Sequence, residues 1–234
     1  METLARSLQG MGHSLLDYAY PPHCAVCGAH IEAAALLCAE CWLAIEKAKI
    51  AQASVNLAER ELTDFKFIKN IILGEFAGVL QEAIYALKFR NQPQLGRELG
   101  RRMGAWRAES LAEVDCLLPV PLHPARMRER GYNQSEEIAI GLAEVLGVPM
   151  CNGILHRAQN TRQQALLSAA ERDSNLRGAF VQVGKLPAAA RIAVVDDVLT
   201  TGTTLQACAE TLQTDRLWAI VLARPRAAEI QQSA

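Results

Sequence analysis

The stretch "RIAVVDDVLTTGTTL", residues 191–205, constrains the fold of this chain more than any other. The apolar residues Ile192 to Val195 are typical of a buried strand, and they lead straight into Asp196 and Asp197. A Thr/Gly segment follows and precedes an amphipathic helical pattern. In open α/β sheets the carboxyl ends of parallel strands border the ligand crevice, so we expect both carboxylates at the mouth of a site.

The Thr/Gly segment has the composition of an anion site. Backbone N–H groups and threonine hydroxyls converge at the start of the following helix, where a phosphate monoester is favoured. Carboxylates beside it suit sugar hydroxyls or a magnesium ion, so a phosphorylated sugar is predicted. An ordinary Asp-rich turn is the alternative, whereas a Walker-type site is excluded because G-x4-G-K-[ST] does not occur. The predicted phosphate-binding residues are Leu199, Thr200, Thr201, Gly202, Thr203 and Thr204.

Strand-like runs alternate with helical patterns beyond Asp115. The runs are "CLLPV", "RIAVV" and "LWAIVLA", and a helix capped by Asn133 and ending at Gly147 lies between the first two. This alternation predicts an α/β fold with a doubly wound, mainly parallel sheet. Further helical patterns cover residues 80–87 and 95–106 upstream.

Two cysteine pairs precede this region. Cys24-x2-Cys27, ten residues and Cys38-x2-Cys41 form a spacing typical of a closed, structural zinc site. Two redox dithiols or plain core cysteines are the alternatives, and the thioredoxin-like pattern that a redox dithiol usually accompanies is missing from the sequence. The nearby His23 and His30 are interpreted as residues that do not bind the metal, because four sulfurs suffice. Cys116, Cys151 and Cys208 are interpreted as buried small residues.

Length and charge limit the classes of protein. The 234 residues, half of them hydrophobic, suffice for one core and a smaller appendage. We predict an N-terminal helix and zinc module over 1–45, a helical connector over 46–66 and the α/β domain over 67–234. A net charge of −1 excludes a globally basic nucleic-acid binder but leaves a local basic groove possible. Neither a membrane span nor a signal peptide is recognisable, which predicts a cytoplasmic protein without membrane insertion.

An arginine-rich loop is predicted after "CLLPV". Arg126, Arg128 and Arg130 are offset only by Glu129, and guanidinium groups bind a pyrophosphate in bidentate fashion. Gly131 would let the backbone approach the ligand closely. The alternative is a solvated charged loop. Lys88 is interpreted as a helix-surface lysine.

At residues 191–205 the chain resembles the type I phosphoribosyltransferases, whose acidic pair and Thr/Gly loop bind phosphoribosyl pyrophosphate (PRPP). "LLPVPLHPARMRERGYNQSEEIA" (117–139), "NTRQQALLSAAERDSNLRGAF" (160–180) and "YALKFRNQPQLG" (85–96) resemble stretches of the ComF family. That family also places a four-cysteine zinc module before its phosphoribosyltransferase domain. Many relatives carry a second knuckle around 46–66, which this chain lacks, so one zinc per chain is expected.

The resemblance implies a type I phosphoribosyltransferase fold over 67–234 that binds PRPP or a related sugar phosphate with Mg²⁺. Asp196 and Asp197 would be the catalytic residues, holding ribose hydroxyls or ordering the metal through water. The arginine loop would bind pyrophosphate, and a mobile loop containing Thr161 and Gln164 would cover PRPP. Relatives tend to have prolines at positions 162 and 163, where this chain has Arg162 and Gln163.

No aromatic-rich segment that could hold a base is recognisable, so the acceptor is not identified. Two classes of function remain open. One is an enzyme that transfers phosphoribose to an unknown acceptor. The other is a PRPP-responsive accessory protein that binds single-stranded DNA and proteins of the competence machinery, because ComF relatives are linked to natural competence and others to gluconate uptake.

Overall fold

The computed structural model describes residues 21–49, 67–157 and 178–225. The predicted helix over 1–22, most of the connector, and the loop with Thr161 and Gln164 lie outside these ranges. The elements are α1 (Ala39–Lys47), β1 (Lys69–Glu75), α2 (Gly78–Phe89), α3 (Pro93–Trp106), α4 (Ala108–Leu111), β2 (Cys116–Pro119), α5 (Pro124–Arg130), α6 (Gln134–Leu146), β3 (Leu155–Arg157), β4 (Phe180–Gln182), β5 (Ile192–Val198), α7 (Thr203–Leu212) and β6 (Leu217–Arg224).

A four-stranded parallel sheet organises the described residues, with the strand order β1-β6-β5-β2. Val194 of β5 pairs with Leu118 of β2 and with Ala219 of β6, which fixes the register of the centre. The strands β3 and β4 form a separate antiparallel pair. The predicted α/β class with a parallel sheet is confirmed.

Alternating side chains of the strands pack into two apolar layers, one on each face of the sheet. Ile71, Ala193 and Ile220 pack with α2, α3 and α6 on one face. Ile72 and Val194 pack with α7 and the β3–β4 pair on the other. A strand that is buried on both faces needs apolar side chains at every position. This explains why β5 is a continuous hydrophobic run up to Asp196 and Asp197.

Most predicted elements within the described residues are confirmed, but the strands β1, β3 and β4 were not predicted. The helix capped by Asn133 is present, and Asn133 Oδ1 accepts a hydrogen bond from the Ser135 N–H at 3.1 Å. It ends at Gly147 in the left-handed conformation, as predicted. The strand β1 was not recognised, although its interior is buried throughout.

Helix α1 crosses the predicted boundary between the zinc module and the connector. Cys38 caps α1, since its sulfur accepts from the Cys41 N–H. The helix ends at Lys47, and Lys49 then forms an isolated antiparallel bridge with Gly74 of β1. The bridge attaches the backbone after α1 to the edge of the parallel sheet.

Helices α3 and α6 pack unusually closely through glycines. A Cβ at Gly100 would clash with the backbone oxygen of Ile138, and one at Gly141 would clash with the backbone oxygen of Arg97. Arg97 also forms an ion pair with Glu137 at 2.5 Å across the same contact. Because glycine has no side chain, the two helix backbones can approach this closely. The contact fixes the distance between α3 and α6, and the first turn of α6 borders the candidate site.

The zinc module belongs to the same core as the α/β domain. Cys24, Leu37, Cys41 and Ile45 are buried in the layer formed with α2, α3 and α6. Arg90, which follows α2, donates to the Ala25 carbonyl at 2.8 Å. The module is thus fixed to the end of α2 by packing and by a direct hydrogen bond.

Cys116 and Cys151 form a disulfide, which the sequence interpretation did not anticipate. The parallel bridge between Leu117 and Met150 brings the two backbones together, with a Cα–Cα distance of 6.2 Å. Both cysteines are buried as predicted, but their pairing was not predicted, whereas Cys208 is a buried free thiol. No helix among the described residues has the length and apolar character needed to cross a membrane.

Candidate functional site

A cleft of about 280 Å³ lies at the carboxyl ends of the parallel strands. Residues that follow β1 and β2 form part of its wall, and the end of β5 contributes both aspartates. The predicted acidic pair is therefore placed at the crevice where open α/β sheets bind ligands. The polar lining residues are Lys88, Gln134, Ser135, Arg157, Asp196, Asp197, Thr200 and Thr204.

Asp196 is a buried carboxylate held by hydrogen bonds. Its Oδ1 accepts from Ser135 Oγ and from the Asp197 N–H, each at 2.9 Å. Burial and the neighbouring charge of Asp197 raise the pKa of Asp196 to about 7, against the opposing effect of these hydrogen bonds and of Lys88. The buried Asp196 carboxyl therefore holds its proton more strongly than an exposed carboxyl does.

Asp197 is paired with Lys88. Lys88 Nζ lies 2.8 Å from Asp197 Oδ2, and the Asp197 side chain is only 6% exposed. Lys88 belongs to the last turn of α2, so its interpretation as a helix-surface lysine is wrong. The ion pair compensates the buried charge and places a cation on the wall of the cleft.

Arg157, at the end of β3, is a further cation of the cleft. Burial lowers its pKa below that of an ordinary guanidinium group. Its Nε has no hydrogen-bond partner among the described residues, and its guanidinium lies 5.5 Å from the Phe180 ring centroid. A desolvated, incompletely paired guanidinium gains strongly from an anionic ligand.

The Thr/Gly segment forms a turn into α7. Gly202 has a φ of 77°, a conformation that favours glycine, and it is the N-terminal cap of the helix. Thr200 and Thr204 line the cleft, and the hydroxyls of Thr201 and Thr203 lie 2.7 Å apart. By contrast, the Leu199 side chain packs into the apolar layer beneath the site, and its N–H donates to the Ala223 carbonyl.

The arginine-rich segment forms the helix α5, so the prediction of a loop was wrong. His123 caps it through Nδ1, which accepts from the Ala125 N–H at 3.1 Å, and Pro124 occupies its first turn. Gly131 ends the helix with a φ of 83°, and a Cβ there would meet no atom within 4 Å. The positive φ favours glycine at this position, and Gly131 also lines the cavity beside α5.

Helix α5 borders a second cavity, of about 500 Å³, that shares Lys88 with the cleft. Arg126 pairs with Glu129 at 3.0 Å, and Arg130 hydrogen-bonds Gln134. Arg128 is exposed and forms no ion pair among the described residues. Together with Phe89, Asn91 and Gly131, all three arginines line this cavity.

The four predicted cysteine ligands converge. Their sulfurs all lie within 4.8 Å of one another, and those of Cys27 and Cys38 are 3.7 Å apart. Zn–S bonds of about 2.3 Å in a tetrahedron require sulfurs about 3.8 Å apart, so the cluster fits one zinc ion. The rings of His23 and His30 stack on each other at 4.4 Å and do not belong to this cluster.

The sequence interpretation missed four polar residues of the cleft, Lys88, Gln134, Ser135 and Arg157. Lys88 pairs with Asp197 and Ser135 donates to Asp196, whereas Arg157 lines the same cleft from the end of β3. The one local signal was the position of Ser135 in the first turn of the helix capped by Asn133. Asn133 also donates to the Val120 carbonyl at 2.9 Å, which anchors that turn beside the cleft.

The comparisons with known proteins agree with this architecture. Residues 15–52 match the model of the double zinc ribbon domain. The chain is 32% identical to Competence protein F of Haemophilus influenzae over 200 residues, covering 82% of this chain and 79% of that protein. It is 28% identical to the DNA utilization protein YhgH of Salmonella typhimurium over 195 residues, covering 81% of this chain and 83% of that protein. The YhgH of Escherichia coli K12 matches at 32% over 148 residues, covering 61% of this chain and 64% of that protein.

The parallel sheet, the acidic cleft and the cysteine cluster define a zinc-ribbon protein with a type I phosphoribosyltransferase-like domain. Its likeness to Competence protein F extends over most of both chains. The chain belongs to the ComF family.

Proposed function

We propose that the cleft binds PRPP together with Mg²⁺. The observation that carries this proposal is the buried pair Asp196 and Asp197 in one cleft with Thr200 and Thr204, at the turn that begins α7. A phosphate beside the threonines would use the helix start, and the carboxylates would accept hydrogen bonds from the ribose hydroxyls.

The second cavity supplies the place for the pyrophosphate. Lys88 lines both cavities, so a ligand that extends from the aspartates past Lys88 reaches the arginines of α5. Mg²⁺ prefers carboxylate, water and phosphate oxygens, and the two aspartates offer the carboxylates. The ion would neutralise charge on the leaving pyrophosphate.

Phosphoribosyl transfer is the reaction that this arrangement suits. The sugar becomes oxocarbenium-like as pyrophosphate leaves, and the protein contributes positioning and cationic groups. Lys88, Arg157 and the arginines of α5 would stabilise the departing charge. The acceptor of the phosphoribosyl group is not defined by the residues of the cleft.

The names of the relatives support a role in DNA utilization. Competence protein F and the YhgH of Salmonella typhimurium are similar to this chain over 200 and 195 residues. We therefore propose a role in the uptake or use of DNA by natural competence, with PRPP as the small-molecule ligand.

A second candidate function is a non-catalytic accessory protein that binds single-stranded DNA and partner proteins in response to PRPP. Arg128 favours it, because an exposed guanidinium without an ion-pair partner in the described part of the chain is available to a phosphodiester backbone as well as to pyrophosphate.

Calorimetric titration of the full chain with PRPP and Mg²⁺ tests the main proposal. The Asp196→Asn, Asp197→Asn double variant should bind PRPP at least tenfold more weakly, since both hydroxyl-accepting carboxylates are lost. Asp115→Asn is the matched control, because Asp115 is an exposed aspartate that pairs with Arg191 outside the cleft. Unchanged PRPP affinity in the double variant would overturn the assignment of the sugar site.

A further inference from the structure

Three aromatic side chains form a row beside the cleft. The ring centroids of Phe76 and Tyr85 are 5.7 Å apart, and those of Tyr85 and Phe89 are 6.1 Å apart. Phe76 lines the acidic cleft and Phe89 lines the arginine cavity, so the row connects the two. Aromatic residues make up only 5% of the chain, which makes this concentration of three rings noteworthy.

Two rings of the row lie on the solvent face of α2, and Phe76 lies between β1 and α2. The apolar residues Leu80, Ile84 and Leu87 point into the core, and residues 85 and 89 share the opposite face by their i, i+4 spacing. Tyr85 is 38% exposed and Phe89 is 69% exposed. Phe76 is partly buried against the core, whereas the exposed rings of Tyr85 and Phe89 beside it indicate a binding surface.

Cations border the row along one side. Arg130 lies 5.8 Å from the centroid of the Phe89 ring. The adjoining cavity is lined by Lys88, Arg126, Arg128 and Arg130 against a single carboxylate, Glu129. Rings for stacking beside an excess of positive charge are the combination that binds single-stranded nucleic acid without sequence preference.

We propose that Phe76, Tyr85 and Phe89 are a stacking platform for the bases of single-stranded DNA, whose phosphates lie along the arginines of α5. The proposal rests on the second candidate function, and it names the residues that would contact the DNA. Phe76 and Tyr85 meet edge to face at 82°, and Tyr85 and Phe89 are tilted by 42°, so the row offers ring surfaces in several orientations to successive bases. Phe76, Tyr85 and Phe89 are separated in the sequence and come together only in the fold, so no aromatic-rich segment marks them.

Fluorescence anisotropy with a labelled oligothymidylate of about 15 nucleotides tests the platform. Tyr85→Ala should weaken binding of the full chain roughly 5- to 150-fold, the range measured for loss of one stacked base. The dependence of binding on salt should stay unchanged, since no charge is removed. Phe89→Ala should cause a similar loss, and Tyr85→Phe should retain the affinity of the unaltered protein.

Val183→Ala is the matched control, because Val183 is an exposed apolar residue, 62% accessible, on a different segment. PRPP titration of Tyr85→Ala separates the two proposals, since Tyr85 lines neither cavity and its loss should leave PRPP affinity unchanged. Oligonucleotide binding by Tyr85→Ala and Phe89→Ala equal to that of Val183→Ala would overturn the platform. An unaltered protein that fails to bind the oligonucleotide, or binds free nucleosides instead, would overturn it as well, whatever the result with PRPP.

Discussion

Lys88 Nζ lies 2.8 Å from Asp197 Oδ2 and thereby joins the last turn of α2 to the end of β5. The pair holds a buried carboxylate and a cation on the same wall of the cleft. Arg90, two residues further on, donates to Ala25 inside the first cysteine knuckle. The end of α2 therefore contacts both the candidate sugar-phosphate site and the zinc module.

Replacing Lys88 should destabilise the protein. Lys88→Met leaves Asp197 buried without its cation, so the free energy of unfolding should fall by about 2 kcal/mol, less than the ~3–5 kcal/mol of a fully buried pair. The lower value follows from the 23% exposure of the Lys88 side chain. Urea denaturation measures the change, and a double-mutant cycle with Asp197→Asn isolates the pair. Lys185→Met, at an exposed lysine, is the control, and equal stability of both variants would contradict the prediction.

The stability of the protein should depend on the charge of Asp196. Its pKa rises from 3.8 to about 7 on folding, so the folded state binds more protons than the unfolded state between these values. The contribution of Asp196 to stability is therefore greatest below pH 4, is lost as pH rises towards 7, and is constant above. The slope of the unfolding free energy cannot exceed about 1.4 kcal/mol per pH unit for one group.

Asp196→Asn should remove this contribution and flatten the pH profile measured by urea denaturation between pH 4.5 and 8. Asp115→Asn is the comparison, because the contribution of Asp115 to stability has the opposite dependence on pH. The backbone N–H and guanidinium of Arg191 lower the pKa of Asp115, so its contribution is present at neutral pH and is lost as pH falls. An Asp196→Asn profile with the slope of the unaltered protein would show that the buried carboxyl titrates normally.

Bound zinc should stabilise the fold of the α/β domain as well as that of the zinc ribbon. Metal analysis should find about one zinc per chain, and Cys24→Ser or Cys41→Ser should abolish it. Because both cysteines are buried in the core shared with α2, their loss should also lower the melting temperature of the α/β domain. Cys208→Ala is the control that should retain the zinc, since Cys208 is a buried free cysteine outside the cluster. A wild-type protein that folds fully without zinc contradicts the prediction.

The position of Arg128 distinguishes pyrophosphate binding from DNA binding. If it contacts pyrophosphate, Arg128→Ala should weaken PRPP at least tenfold while leaving ribose 5-phosphate almost unaffected, as calorimetry can show. If it contacts a DNA phosphate, the salt slope of oligonucleotide binding should fall by about 0.7. Where both changes occur, PRPP should compete with DNA. An Arg128→Ala protein with unaltered PRPP binding and defective DNA binding would make DNA the primary ligand of α5.

The sequence alone determined the parts whose signals are local. A buried strand that ends in Asp196 and Asp197 and continues through a Thr/Gly turn into a helix is encoded within residues 191–205. The spacing of the four cysteines is equally local, since each knuckle turn directs two thiolates to one point. Helix α5 was also encoded, by His123, Pro124 and Gly131, but these capping signals were overlooked beside the arginine cluster.

Only the tertiary structure decided which distant residues complete the site. The strand order β1-β6-β5-β2 and the packing of α2 and α6 on one face bring Lys88 and Ser135 to the two aspartates. The same packing assembles the aromatic row from Phe76 and α2, and it pairs Cys116 with Cys151. Such contacts depend on which elements become neighbours across the sheet, and hydrophobic periodicity specifies which face of an element is buried but not its neighbour.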